Sequence, residues 1–499
     1  NNVAMAEDVC HYDIKQNDKY GRYLIANKDL AGGEIIFTDT PFAVGPKPDT
    51  PPLCLGCYCP IENSMCSDCG WPICSAECEK SPQHAAECGV FSAARVRFQG
   101  VEDWTACSVQ LDCITPLRVL IAKENDQERW QRELDVMETH TEARQQRPTW
   151  DADNNNIVNF LVDHCKLSNR FEKELVQKVC GILEVNSVEV PSPSGFSIRA
   201  LYPRLAIAAH SCVTYLQYPL VIYIQIRAAV PIKAGESLHL CYTYAMSPTL
   251  VRRDHLVESK FFHCDCPRCA DPTELNTHLS TLKCNKCDNG FYISDNEAPW
   301  MCYEKNCGFK TSGAAMRKLL AVVQAEEEQL DALEPGPAAI EHREAIINKY
   351  KSVFHPRHSF LLSVKHSLAQ LYGRVDGYSI DELPDVLLER KAELCRLVLN
   401  TLDVITPGES RMRGMILYEL HAPLMFMARN EFGAGLITQD KLKERLQEPT
   451  QCLAEAARIL GREDPRSPEG ITGQLAQQAM EQLKASGGLG HSRIQVLNT

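Results

Sequence analysis

The sequence predicts an α+β chain: a β-rich core split by a cysteine-rich insert and a helical insert, then a second cysteine-rich segment and an α-helical C-terminal third. Three observations lead there. Two stretches about two hundred residues apart, around Gly33-Glu34 and Gly235-Glu236, repeat one strand-turn-strand pattern. Eight cysteine and histidine residues at metal-ligand spacing lie between Cys54 and Cys88. From Gly313 onward the apolar residues fall at helical intervals.

With 499 residues, 44% hydrophobic and 23% charged, the chain can bury a large core and divide into three or so domains. The longest apolar-looking region, residues 205 to 232, is broken by His210, Gln217, Pro219, Gln225 and Arg227, so no run spans a bilayer and no membrane is expected. The polar start, with no apolar signal core, goes with an intracellular protein of the cytoplasm and/or nucleus. A net charge of −13 disfavours direct nucleic-acid binding, which depends on Lys and Arg neutralising phosphates. Protein partners and a monomeric state are expected instead. Twenty-four cysteines in a long intracellular chain point to metal rather than disulfides.

Residues 12 to 46 read as strand, turn and strand, through Tyr23-Leu24-Ile25-Ala26 and Ile35-Ile36-Phe37. Residues 228 to 238 repeat them, which implies one β-domain interrupted by insertions. In the first insertion, Cys54-x2-Cys57, Cys66-x2-Cys69, Cys74-x3-Cys78 and His84-x3-Cys88 offer eight soft ligands within 35 residues, enough for two tetrahedral zinc sites. So short a segment has no adequate apolar core, and metal must supply its folding energy. Cys59 is the bystander. Residues 95 to 190 read as mainly helical, with Gln127 to Arg147 a charged, solvated helix and His164-Cys165 a packed pair. A turn at residues 191 to 195 returns the chain to strands, of which residues 220 to 227 form the clearest run.

Cys264-x-Cys266-x2-Cys269 supplies three thiolates, one short of a tetrahedral zinc set. Cys284-x2-Cys287 with Cys302-x4-Cys307 reads as a further zinc site of ribbon type. With one more cysteine as that missing ligand, four zinc ions would use fifteen cysteines and His84; the nine remaining cysteines are expected to pack as small apolar residues. Beyond Gly313, a long helix ends before Glu334-Pro335 and others follow at about 338–353, 358–374, 380–402, 410–430 and 450–461. The tail after Ala485 is expected to be mobile.

The order of seven cysteines and one histidine resembles a MYND finger. Leu201-Tyr202-Pro203, His210-Ser211-Cys212, Gly235-Glu236-x-Leu238-x-Leu240-x-Tyr242 and Cys264-Asp265-Cys266-Pro267-Arg268-Cys269 resemble the SET core of lysine methyltransferases. Together they resemble the SET and MYND domain-containing (SMYD) family over nearly the whole chain. The resemblance implies a SET domain begun in residues 1–48, a MYND finger in 49–94, a helical SET insert in 95–190, the SET core in 191–247, a post-SET and zinc-ribbon segment in 248–312, and a helical domain like tetratricopeptide arrays (TPR-like) in 313–499. It pairs Cys54, Cys57, Cys74 and Cys78 on one zinc, and Cys66, Cys69, His84 and Cys88 on another. Cys212 becomes the fourth ligand beside Cys264, Cys266 and Cys269. It further implies S-adenosylmethionine bound at Gly21, Arg22 and His210, a catalytic Tyr242, lysine-containing protein substrates, and proline-rich peptides on the finger.

The same comparison exposes departures. Tyr23 stands for the second glycine of the cofactor turn, Ser194 and Ala209 for asparagines, Thr214-Tyr215 for a Pro-Asn pair, and Lys260, or with a one-residue shift Phe261, for the second channel tyrosine. Glu79 and Ser81 replace a Gln and a Trp of the finger. A lysine cation about 5 Å from a substrate ammonium opposes it by roughly 3 kcal/mol at an effective dielectric near 20. Each lost cofactor hydrogen bond costs about 1 to 3 kcal/mol. Two functions therefore stand side by side: a protein-lysine N-methyltransferase acting on histone or non-histone proteins, and a catalytically inactive scaffold working through protein–protein interactions.

Overall fold

The computed structural model describes residues 10–192, 194–218, 224–287, 291–293, 300–302, 304 and 306–485. Ten strands form the β core: β1 (Tyr12–Asn17), β2 (Gly21–Ala26), β3 (Ile35–Asp39), β4 (Ala43–Gly45), β5 (Val188–Pro191), β6 (Ser197–Leu201), β7 (Ala209–His210), β8 (Leu216–Gln217), β9 (Ile224–Ala228) and β10 (Ser237–Leu240). They make three small sheets, ordered β1-β2-β10-β7, β3-β9-β8 and β4-β6-β5. The two similar Gly-Glu units interlock. Leu238 of β10 lies opposite Leu24 of β2, and Ile35 of β3 opposite Arg227 of β9. In β9, Ile224, Ile226 and Ala228 turn inward while Gln225 faces out, the period-two alternation of a half-buried strand. Positions 220 to 223 of the expected strand run, and the tail after Ala485, lie outside the described residues.

The cysteine-rich segment and the helical segment after it share one apolar core. Trp71 stacks on Phe91, ring centroids 4.1 Å apart, and Ile114, Leu117 and Leu120 of helix Ile114–Asn125 belong to the same cluster. The solvated helix expected at Gln127 to Arg147 is instead three short helical pieces, Gln127–Arg129, Trp130–Leu134 and Thr141–Arg144, broken where His140 takes a left-handed conformation at φ +45°, and Trp130, Leu134, Met137 and Arg144 are buried. Of the nine non-ligand cysteines, Cys113, Cys165, Cys180, Cys395 and Cys452 pack inside, Cys59 and Cys241 are half-buried, and Cys10 and Cys107 are exposed, contrary to expectation. His164 is exposed as well.

Strands β11 (Leu282–Lys283), β12 (Phe291–Ile293), β13 (Trp300–Cys302) and β14 (Lys310–Thr311) form a separate four-stranded ribbon. Helices follow at Gly313–Asp331, Pro337–Tyr350, Ser359–Leu371, Asp385–Ile405, Arg411–Gly433, Gln439–Arg445, Gln447–Leu460 and Pro468–Ala485. The helices at Gln439–Arg445 and Pro468–Ala485 were not expected. The array is fastened to the β core at Glu409, whose N–H donates to the Ala229 carbonyl at 3.2 Å and whose carboxylate takes Arg458 and Arg462. A Cβ on the preceding Gly408 would come within 2.0 Å of that same carbonyl, so the contact admits only glycine. No described helix is long and apolar enough to cross a membrane.

Candidate functional site

Four groups of ligand atoms each converge to within 4.8 Å: Cys54, Cys57, Cys74 and Cys78; Cys66, Cys69, His84 and Cys88; Cys212, Cys264, Cys266 and Cys269; and Cys284, Cys287, Cys302 and Cys307. Tetrahedral zinc with Zn–S near 2.3 Å sets sulfur atoms about 3.8 Å apart, whereas a disulfide needs about 2.05 Å. The observed separations include 3.5 Å for Cys57–Cys74, 3.8 Å for Cys66–Cys88, 3.5 Å for Cys212–Cys269 and 3.7 Å for Cys284–Cys307. The donor sets fit zinc, and all four clusters could hold it.

In the finger, Ser81 caps helix Pro82–Ala94, which carries His84 and Cys88 on one face. His84 turns Nε2 towards Cys69 Sγ at 3.6 Å and leaves Nδ1 3.2 Å from the buried Glu87 carboxylate. Glu87 in turn accepts two hydrogen bonds from Arg118, both at 2.7 Å. Arg118 also donates to the Leu55 carbonyl and to the Val44 carbonyl of β4. A carboxylate behind a ligating imidazole fixes its tautomer, and here the chain of contacts runs on from the metal ligands to the β core. Glu79 accepts from the Ser67 N–H, so both replaced finger positions serve the finger's own geometry.

The third cluster has charged support of its own. Arg252 Nε and Nη2 lie 3.2 Å and 3.4 Å from Cys212 and Cys269 sulfurs, and Arg268 donates to the Cys212 carbonyl at 3.2 Å. Both guanidiniums meet Glu274, at 2.8 Å and 2.7 Å. Burial opposes the Glu274 charge, but the two guanidiniums outweigh it and hold the carboxyl down at about 2. Sequence reading missed Arg252, Arg268, Glu274 and Arg118, which meet only through the tertiary fold. Glu87 was readable, since it follows His84 by one helical turn.

Next to this cluster are the expected catalytic and cofactor residues. His210 is buried, with Nε2 3.3 Å from Cys212 Sγ and Nδ1 accepting from the Tyr242 N–H at 3.0 Å. Burial pushes its imidazole down to about 4. The Tyr242 hydroxyl donates to the Ala208 carbonyl. Lys260, the last residue of helix Thr249–Lys260, sets its ammonium 5.6 Å from the centre of the Tyr242 ring and donates to the Val185 carbonyl at 2.6 Å. Gly21 opens β2 in the left-handed region, at φ +62°, and Arg22 reaches the Val136 carbonyl. Tyr23 faces Tyr20, whose ring is 5.6 Å from both Tyr23 and His239; His239 is the register neighbour of Ala209. Lys19, above the Tyr20 ring, is ion-paired at 2.7 Å with Asp265, between two zinc ligands. Ser194 donates to the Tyr58 carbonyl at 3.2 Å.

No protein-family model matches the chain. It is 29% identical over 292 residues to the SET domain-containing protein SmydA-8, isoform A, of Drosophila melanogaster, covering 55% of this chain and 60% of that one. It is 27% identical to the N-lysine methyltransferase SMYD2 of Gallus gallus, over 53% of this chain and 61% of that one. It is 25% identical to the histone-lysine N-methyltransferase SMYD3 of Mus musculus, over 50% and 59%. The matched region thus spans about three fifths of each relative. A solved SET domain of LSMT, bound to lysine and AdoHcy, matches with a TM-score of 0.29 at 13% identity over 96% of this chain and 89% of that one, too loosely to add to these likenesses. With the converged zinc clusters, the interlocked sheets and the helical C-terminal region, these likenesses support reading the chain as a divergent relative of the SET and MYND domain-containing (SMYD) proteins.

Proposed function

We propose that the chain is a zinc-stabilised SET–MYND scaffold that binds other proteins and whose methyl-transfer centre is filled by its own side chains. The observation that carries this reading is the state of Tyr242: its hydroxyl is engaged by the Ala208 carbonyl and a lysine ammonium already stands against its ring. Methyl transfer to lysine needs little from the protein beyond a cofactor held in line with a neutral, aligned amine. Here the residues supply little of what S-adenosylmethionine needs. Ala209 offers no side-chain donor or acceptor; its register neighbour is His239, whose ring meets that of Tyr20, which in turn meets Tyr23. The finger and the helical array are the interaction surfaces in this reading.

The second reading, a protein-lysine N-methyltransferase using S-adenosylmethionine, is favoured by the way His210 supports the Tyr242 backbone and by relatives named as lysine methyltransferases. Calorimetric titration of the purified protein with S-adenosylmethionine and its demethylated product separates the two. The scaffold reading expects no heat from the native chain and recovered binding in a Tyr23→Gly, Ala209→Asn variant. Heat from the native chain, together with methylation of a histone or non-histone protein that Tyr242→Phe abolishes, overturns it.

A further inference from the structure

We infer that Lys260 is the resident occupant of the amine position beside Tyr242, and that the space its side chain fills is a binding site for a primary alkylammonium group. The inference deepens the scaffold reading of the same site and rests on its identification of Tyr242 as the channel tyrosine. Two helix C-termini meet at this point. Helix Lys173–Asn186 ends with carbonyls that have no partner within the helix, and it presents the negative end of its dipole. One of them, Val185 O, takes the Lys260 ammonium at 2.6 Å. The Tyr242 ring supplies an aromatic face at 5.6 Å, within cation–π reach, and the Glu184 carboxylate adds a favourable field. A carbonyl, an aromatic face and a nearby carboxylate together suit an alkylammonium.

The arrangement is held in place from behind. The residue after Lys260, Phe261, takes a left-handed turn at φ +63°, with its ring 4.8 Å from the His140 ring and 4.0 Å from the Arg147 guanidinium. Arg147 also donates to the Val257 and Glu258 carbonyls, closing the end of the helix that carries Lys260. Burial pushes the Lys260 amine down to about 8, which leaves it mostly protonated at neutral pH. The occupant is therefore still a cation, held by the carbonyl and the aromatic face against the cost of burial.

The test is chemical rescue in the full-length chain. Lys260→Ala is expected to lower the melting temperature, and n-butylammonium chloride to restore more than half of the loss saturably. Butanol and tetramethylammonium chloride should not, and the native chain should be indifferent to all three. Rescue by every salt alike, or by none, overturns the inference. If Lys260→Ala does not fold, reductive methylation of the native chain followed by mass spectrometry tests the same point. Lys260 is expected to react far more slowly than exposed lysines such as Lys443, and modification at their rate overturns the inference. Neither measurement involves a cofactor, so its failure is distinguishable from a cofactor titration that defeats the scaffold reading.

Discussion

Ala209 and Cys212 lie three residues apart with opposite surroundings. Around Cys212, three further thiolates converge, two guanidiniums approach, and Glu274 pairs with both. Ala209 has His239 as its register neighbour, with the Tyr20 ring against it, and the hydroxyl of Tyr242 is hydrogen-bonded to backbone. The metal half of the segment keeps every partner its chemistry requires. In the scaffold reading the other half, at Ala209, keeps little of the polarity a cofactor would need. That reading makes the segment one whose fold-holding part persists while the part used only for chemistry is replaced.

The hardest test of this contrast is to remove the metal half. Cys212→Ser is expected to lower zinc content from four ions to three and to abolish cooperative melting of the β core, since a structural zinc contributes on the order of 10 kcal/mol. Cys287→Ser should lower the zinc content equally while leaving that transition in place, because the ribbon is a separate sheet. Metal analysis beside circular dichroism reads both. Equal melting behaviour in the two variants would erase the contrast.

A smaller effect is expected from Glu274→Gln, which keeps the shape but removes the carboxylate that Arg252 and Arg268 share. Breaking a buried ion network in this way costs about 3–5 kcal/mol, measurable by urea unfolding. The smallest is a pH effect. His210, His358 and His421 are buried and held near 4, 3 and 4, below the ordinary imidazole value. Between those values and about 6.5 the unfolded chain binds protons that the folded chain does not, so stability falls as pH drops through this window. One unit below 6.5 each costs about 1 kcal/mol, and His358→Gln should remove its share of the loss between pH 7.5 and 5.5 while zinc content is followed in parallel.

Most of the metal ligands were readable because zinc chemistry demands ligands at short, repeated spacing, whereas Cys212, 52 residues before Cys264, and the interleaved pairing of the finger came from the family resemblance; the interlocked sheets were readable from two matching Gly-Glu turns. The stretch from Gln127 to Arg147 was misread because its charges conceal four buried anchors, Trp130, Leu134, Met137 and Arg144, and because the left-handed residue His140, which breaks the helix, carries no sequence signal. The place of Lys260 in the motif was readable, but its acceptor was not. Val185 is 75 residues away in sequence and meets it only where two helix ends pack.

The interlocking of β3 with β9 and of β2 with β10 also sets an order of events during synthesis. Ile35 waits for Arg227 and Leu24 for Leu238, while Cys54 to Cys88 need only one another and an ion. The finger can therefore mature on the ribosome while the first strands are still open-edged. Cells short of zinc would lose this early anchor while those strands remain unpaired, a condition that favours edge-to-edge aggregation over a merely inactive product.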